Sequence, residues 1–208
     1  MPDGWIHVIT GCMFSGKTDE MLRLLRRAEI AGRRVVLVRP ILDDRTEAGS
    51  VESRSGVTYR ARPVASSSDI PPIVTTERAS VVAIDEAQFF DDGLPDVADL
   101  LAAEGRSVLV CGLDQDFLGR PFAPMPTLLA MADQVTKLSA ICTVCGSDAT
   151  RTQRMVGGRP AAADEPLIVV GGMNDDRYEA RCRAHHVVAS AKGMTSAPVW
   201  DEAPRAYE

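Results

Sequence analysis

The stretch that most restricts the fold of this chain is ITGCMFSGKTDEMLRLL, residues 9–25. An apolar run leads into a loop of the form Gly-x-x-x-x-Gly-Lys-Thr, and an amphipathic run follows directly. Glycines let such a loop wrap so that backbone N–H groups point at phosphate oxygens, and the helix N-terminus adds partial positive charge. The spacing predicts a phosphate-binding loop from Gly11 to Thr18, with Lys17 on the β- and γ-phosphates and the Thr18 hydroxyl on magnesium.

Short apolar runs alternate with longer amphipathic ones through the first 140 residues. The pattern predicts strands over 5–10, 33–38, 80–85 and 107–113, and helices over 17–32, 94–105 and 126–134. This alternation is typical of an α/β fold in which helices cover a parallel sheet. Residues 50–68 interrupt it with Ser, Gly and Arg, which indicates a flexible excursion or a hairpin.

Composition narrows the class of protein. A chain of 208 residues, of which 45% are hydrophobic and 25% charged, is expected to form one domain, or one domain and a small appendage. The net charge of -6 argues mildly against a protein that coats duplex nucleic acid. The N-terminus lacks a secretory pattern and no run approaches the roughly 20 apolar residues of a membrane span, so we expect a cytoplasmic protein.

A second motif, VVAIDEAQFF at 81–90, places two carboxylates at the end of an apolar run. Asp85 is predicted to hold magnesium across from Thr18. Glu86 follows it and is predicted to act as the general base that faces the γ-phosphate. Taken by itself, the pair is equally compatible with an exposed acidic turn.

A third motif consists of CTVC at 142–145 and CRAHH at 182–186. Cys142, Cys145, Cys182 and His185 form a set of thiolates and an imidazole suited to structural zinc, with no coordination position left open for chemistry. His186 is the rival fourth ligand, and His185 is preferred because two residues then separate the members of each pair. The remaining cysteines, Cys12 and Cys111, are expected to pack in the interior.

Longer motifs carry a resemblance to a known family. The segments GCMFSGKT, IDEAQFF, GLDQDFLGRPFAPMP, VTKLSAIC, ATRTQR and VVGG…YEARC occur in order between about residues 5 and 188. They resemble the type II thymidine kinases of the bacterial and human cytosolic kind. A GTPase would need Asn-Lys-x-Asp, which is absent, and helicases that carry DEAQ-like motifs need two such cores.

The resemblance implies a P-loop, RecA-like core over 1–140 and a zinc-binding lasso that covers the nucleoside over 141–189. The tail over 190–208 shows no periodicity and is expected to be disordered. It implies transfer of the ATP γ-phosphate to the 5′-hydroxyl of thymidine, as part of deoxynucleoside salvage for DNA synthesis. Magnesium, structural zinc and a homotetramer are expected from the same resemblance, without nucleic acid or membrane partners.

Individual residues carry over from the family's motifs. The implied ATP and magnesium set is Gly11, Cys12, Met13, Phe14, Ser15, Gly16, Lys17, Thr18, Asp43, Arg45, Asp85 and Gln88. The implied thymidine set is Met13, Phe117, Thr152, Ile168, Val169, Val170, Gly171 and Tyr178, with the zinc site anchoring the lasso.

Three alternatives stay open at the sequence level. Phe117 could simply pack in the core, and Tyr178 could be a surface residue of a strand. The sequence departs from the family at Cys12, where proline is common, and the lasso is one residue longer than many, which affects the register of Tyr178. The rival function is an ATP-driven module in which the zinc knuckle binds nucleic acid.

Overall fold

A six-stranded parallel sheet forms the centre of the protein. The computed structural model describes residues 4–41, 50–52, 58–167 and 177–189. The elements up to the end of this sheet are β1 Trp5–Gly11, α1 Lys17–Ile30, β2 Val35–Pro40, β3 Ser50–Glu52, β4 Thr58–Arg60, β5 Arg62–Val64, α2 Ile70–Glu77, β6 Val81–Ile84, α3 Leu94–Ala103, β7 Ser107–Gly112, α4 Met125–Met131 and β8 Gln134–Leu138. The strand order is β5-β2-β6-β7-β1-β8.

Every neighbouring pair in this sheet is parallel, as the alternation of strands and helices predicted. Alternate residues of each strand point to opposite faces. On one face, Ile9, Leu37 and Leu109 pack against Met21 and Leu25 of α1. The opposite face packs against α2, α3 and α4. The loops after all six strands therefore begin at one edge of a sheet that is covered on both sides.

Smaller antiparallel units follow β8. They contain β9 Ala140–Ile141 paired with β10 Asp148–Ala149, and β11 Arg151–Val156 between β12 Arg159–Pro160 and β13 Arg177–Arg181. This change of pattern matches the predicted second unit, although the exact domain boundaries stay a prediction. The tail over 190–208 lies outside the described residues. Among the helices that can be described, none is long and apolar enough to cross a bilayer.

The helix α2 was missed because it begins Ile-Pro-Pro. Prolines usually signal a break, but Pro71 and Pro72 occupy the first turn, where the backbone N–H groups have no partner within the helix. The predicted interruption at 50–68 contains a real hairpin, since Ser50–Glu52 pairs antiparallel with Thr58–Arg60. The segment Arg62–Val64 then joins the main sheet beside β2.

The predicted helix over 126–134 is too long, because α4 ends at Met131 and β8 begins at Gln134. The edge strand β8 is not predicted from the sequence, because all five of its residues are exposed or half-buried and its sequence, QVTKL, is largely polar. Parallel pairing with β1 makes this segment a strand, although its composition does not indicate one. The helix α1 similarly ends at Ile30, two residues earlier than predicted, and Gly32 follows with φ of 73°.

Adjacent leucines of α3 provide a test of the packing on the three-helix face. Leu101 is 1% exposed and Leu100 is 50% exposed. We expect Leu101→Ala to lower the free energy of unfolding by about 2–5 kcal/mol, because it leaves a cavity against the sheet. Leu100→Ala should change it by no more than about 0.5 kcal/mol. Chemical denaturation of both variants makes the measurement, and equal losses would contradict this packing.

Candidate active site and metal cluster

The phosphate loop lies where the sequence predicts it, between the strand β1 and the helix α1. Gly16 caps α1 in the left-handed conformation, with φ of 84°. Gly11 has φ of 148°, and a Cβ placed there would come within 2.3 Å of the Leu138 carbonyl oxygen on β8. A side chain at Gly11 would therefore clash with backbone, which explains the glycine.

Two side chains of the loop fold back onto its own backbone. Lys17 Nζ donates a hydrogen bond to the Cys12 carbonyl oxygen at 3.0 Å, and Ser15 Oγ donates to the same oxygen at 2.8 Å. Phe14 lies in between with φ of 70°. Lys17 and Thr18 are the first two residues of α1, directly after the loop.

The acidic pair follows β6 at the same edge of the sheet. Asp85 is 6% exposed, and its Oδ1 accepts a hydrogen bond from the Glu86 N–H at 3.0 Å. Glu86 has φ of 50°, an uncommon backbone conformation for a residue other than glycine. Such strain is concentrated at functional sites. Because Asp85 is buried, the pair is not the exposed acidic turn that was the alternative interpretation of the sequence.

Gln88 holds the carboxylate of Glu86 in place. Its Nε2 donates to Glu86 Oε2 at 2.6 Å, and its Oε1 accepts from the Leu113 N–H at 2.9 Å. Gln88 is 3% exposed, so both ends of its amide are bound in the interior. The side chain thus connects Glu86 to the loop that follows β7.

Burial and the neighbouring Glu86 charge raise the pKa of Asp85 above its ordinary value, although the Cys111 thiol and Lys17 oppose the shift. A carboxyl group in such a place favours its neutral form unless a cation lies beside it. A divalent ion would lower the pKa and keep Asp85 ionised. The environment of Asp85 therefore fits a metal-binding carboxylate.

A pocket beside the phosphate loop collects four of the residues assigned to thymidine. Met13, Phe117, Thr152 and Tyr178 all line it. Its other lining residues, which the sequence reasoning did not assign, are Phe89, Leu113, Gln115, Asp116, Phe122 and Leu167. The Met13 N–H donates to Thr152 Oγ1 at 3.0 Å. This hydrogen bond joins the phosphate loop to β11 at the pocket.

Phe117 lines the pocket from a tight loop after β7. Its side chain is 4% exposed, and the Arg154 guanidinium lies 5.4 Å from the ring centroid. Asp116 Oδ1 accepts from the N–H groups of Leu118 and Arg120, both at 2.9 Å, and so fixes the turn. Asp116 in the Asp-Phe-Leu-Gly segment is the sequence signal for this turn. Aspartate commonly accepts hydrogen bonds from the backbone N–H groups of the residues that follow it.

The four predicted zinc ligands come together. One ligand atom from each of Cys142, Cys145, Cys182 and His185 lies within 4.8 Å of all the others. The Cys182 Sγ to His185 Nδ1 distance is 3.2 Å and the Cys145 Sγ to Cys182 Sγ distance is 3.9 Å. Bonds to tetrahedral zinc of 2.0–2.3 Å place ligands roughly 3.3–3.8 Å apart, so the set fits this metal.

The pKa of Cys142, one thiol of the cluster, points the same way, although burial raises the pKa of Cys182. Burial raises the pKa of Cys142, but backbone N–H groups of Cys182, Val144 and Cys145 outweigh it and lower that pKa to about 6. A metal binds the thiolate form, so these N–H donors prepare the sulfur for coordination.

His186, the rival ligand, makes a different contact. Its Nε2 lies 2.8 Å from the Phe117 carbonyl oxygen. Cys12 and Cys111 are 3% and 1% exposed and belong to apolar clusters, as expected. Asp43, Arg45, Ile168, Val169, Val170 and Gly171 lie outside the described residues, so their roles stay predictions.

Comparison with known proteins gives one consistent family. The model of the thymidine kinase family matches residues 4–186. A thymidine kinase of Coprothermobacter proteolyticus is 53% identical over 186 residues, which cover 89% of this chain and 92% of that protein. The chain belongs to the thymidine kinase family.

Proposed function

We propose that this protein transfers the γ-phosphoryl group of ATP to the 5′-hydroxyl of thymidine, giving dTMP and ADP. Family membership supports ATP as the donor. The observation that carries the proposal is the bond between Met13 N–H and Thr152 Oγ1, which joins the phosphate loop to the lining of an apolar pocket. A nucleoside in that pocket would present its hydroxyl to a phosphate on the loop.

The phosphate loop would hold the triphosphate through its backbone N–H groups and through Lys17. Residues from Gly11 to Thr18 form this cradle in the proposal. Magnesium, when bound, would neutralise charge on the phosphate oxygens, and Thr18 and Asp85 are its proposed protein ligands. Asp43 and Arg45 are proposed to lie near the phosphates on the strength of the family motif.

Glu86 is the proposed general base. As the 5′-oxygen bonds to the γ-phosphorus, the bond from that phosphorus to the bridging oxygen breaks and ADP leaves. The Glu86 carboxylate takes the proton of the hydroxyl. Gln88 supports this role because it holds Glu86 Oε2 at 2.6 Å and limits the rotation of the carboxylate.

The pocket provides a mainly apolar site for a pyrimidine ring. Phe117 would pack against the base, and Met13 and Thr152 would surround its methyl group. Tyr178, which pairs with Arg154 across β13 and β11, lines the same space. The backbone of 168–171 is proposed to complete recognition and to exclude water, which would otherwise accept the phosphoryl group.

The metal cluster is proposed to hold structural zinc at the base of the lasso. It fixes β9, β10 and the segment after β13 relative to one another. A rigid base matters because recognition of a nucleobase by loop backbone requires a preorganised loop. A homotetramer is proposed from the family resemblance, and a cytoplasmic location from the sequence pattern. Neither comparison supports the nucleic-acid alternative.

Turnover of ATP tests the function directly. We expect ADP to form at a rate that depends on thymidine, with one dTMP for each ADP, when products are separated by chromatography. Single-stranded DNA should not stimulate the reaction. ATP hydrolysis that responds to DNA and ignores thymidine would support the rival function instead.

Glu86→Gln tests the proposed base. It preserves shape and removes basicity, so we expect kcat to fall by about 10²- to 10⁴-fold with little change in the affinities for thymidine and ATP. Glu104→Gln, at the exposed end of α3, is the matched control and should keep full activity. A full kcat in Glu86→Gln with a raised KM for thymidine would make Glu86 a binding residue.

Lys17→Ala tests the phosphate site. The ammonium lies on the loop and is not part of the buried core, so the variant should fold normally while kcat/KM falls by about 10²-fold or more. Circular dichroism and thermal unfolding verify the fold. A folded variant with near-normal activity would remove Lys17 from the mechanism.

Elemental analysis tests the metal. We expect about one zinc per chain, and Cys142→Ser or Cys182→Ser should lose it and weaken thymidine binding more than ATP binding. Cys111→Ser removes a thiol outside the cluster and should keep the zinc. Active protein that contains no zinc would contradict the assignment.

A further inference from the structure

His186 lies next to the proposed zinc ligand His185, yet its imidazole points at another part of the protein. Its Nε2 is 2.8 Å from the Phe117 carbonyl oxygen, 69 residues away in sequence. A carbonyl oxygen accepts and cannot donate, so Nε2 must carry the proton in this contact. The hydrogen bond therefore runs from His186 to the backbone of Phe117.

The imidazole also packs on the turn that follows Phe117. A Cβ built on Gly119 would lie 3.6 Å from His186 Cε1. The other side of this turn is fixed internally, because Asp116 accepts from the N–H groups of Leu118 and Arg120. His186 thus contacts the loop at the residue whose ring lines the pocket.

The backbone next to His186 is itself fixed. The Gln153 amide donates to the Val187 carbonyl oxygen and accepts from the Val187 N–H, both at 2.8 Å. Gln153 is 2% exposed and belongs to β11, next to Thr152. The backbone next to His186 is therefore bound to β11, the strand that also provides Thr152 to the pocket wall.

These contacts place His186 between the metal cluster and two walls of the pocket. We propose that His186 is a positioning residue for the nucleoside, whose Nε2–H fixes the Phe117 backbone and so sets the ring against the base. The inference rests on the proposed function, because it takes the pocket to be the thymidine site. It assigns the second histidine of the His-His pair to substrate affinity, and the first to the metal.

Three variants of the full-length enzyme test this role. His186→Ala removes the donor, and His186→Gln keeps an N–H at nearly the position of Nε2. His7→Gln is the matched control, since His7 bonds to Thr136 and does not line the pocket. KM for thymidine, KM for ATP, kcat, melting temperature and zinc content are measured for each.

We expect His186→Ala to raise the KM for thymidine about tenfold, the cost of one lost hydrogen bond that orders the loop. The KM for ATP and kcat should stay within about twofold, and zinc content should equal that of the wild type. His186→Gln should recover most of the affinity, and His7→Gln should leave the KM for thymidine unchanged.

Other results would overturn the inference. Loss of zinc in His186→Ala would make His186 a ligand, and equal changes in both KM values with a lower melting temperature would make its role merely structural. An unchanged KM for thymidine, or a Gln variant as weak as the Ala variant, would show that the donated hydrogen bond does not set affinity. A wild-type protein that leaves thymidine unphosphorylated would overturn the proposed function itself, and this inference with it.

Discussion

The parallel pairing of β1 with β7 and β8 is the constraint on which the candidate site depends. Parallel strands end at the same edge, so the phosphate loop after β1, the acidic pair after β6 and the Phe117 loop after β7 begin side by side. Strand β8 pairs so closely beside Gly11 that a Cβ at this position would clash with the Leu138 carbonyl oxygen. A slip of the β1–β8 register would bring another residue into that contact and move the start of the loop.

The second unit is joined to this edge by contacts that reach the phosphate loop directly. Thr152 accepts from the Met13 N–H, and Cys12 Sγ donates to the Ala149 carbonyl oxygen at 3.2 Å. Cys12 also packs in one apolar cluster with Ala140, Cys142, Ala149 and Ala180. The Cys12 thiol is thus part of the join between the two units. The metal cluster, the phosphate loop and the pocket form one continuous packed region.

Electrostatic repulsion explains why the carboxylates of Asp85 and Glu86 each accept a hydrogen bond. Asp85 is buried, so burial penalises its charge, and the neighbouring Glu86 carboxylate repels it further. The structure offsets this with donors, from the Glu86 N–H to Asp85 and from Gln88 to Glu86. The arrangement keeps the carboxylates of Asp85 and Glu86 together after β6, where one could bind a cation and the other could face a phosphate. Strain at Glu86, with its positive φ, is consistent with a backbone bent to aim a side chain.

The sequence by itself determined the features whose signal is local: the phosphate loop, the buried strands, the acidic pair and the spacing of the zinc ligands. These depend on a strand period, a helix period or a short loop, all of which a few neighbouring residues encode. The tertiary structure decided what depends on distant partners. Polar β8 is a strand because β1 pairs with it, and Pro71 and Pro72 start a helix because α2 packs on the sheet. His185 and not His186 joins the cysteines, because the chain after β13 turns the second imidazole toward a carbonyl 69 residues earlier. No local pattern records such a contact, since the two residues meet only after both units have folded.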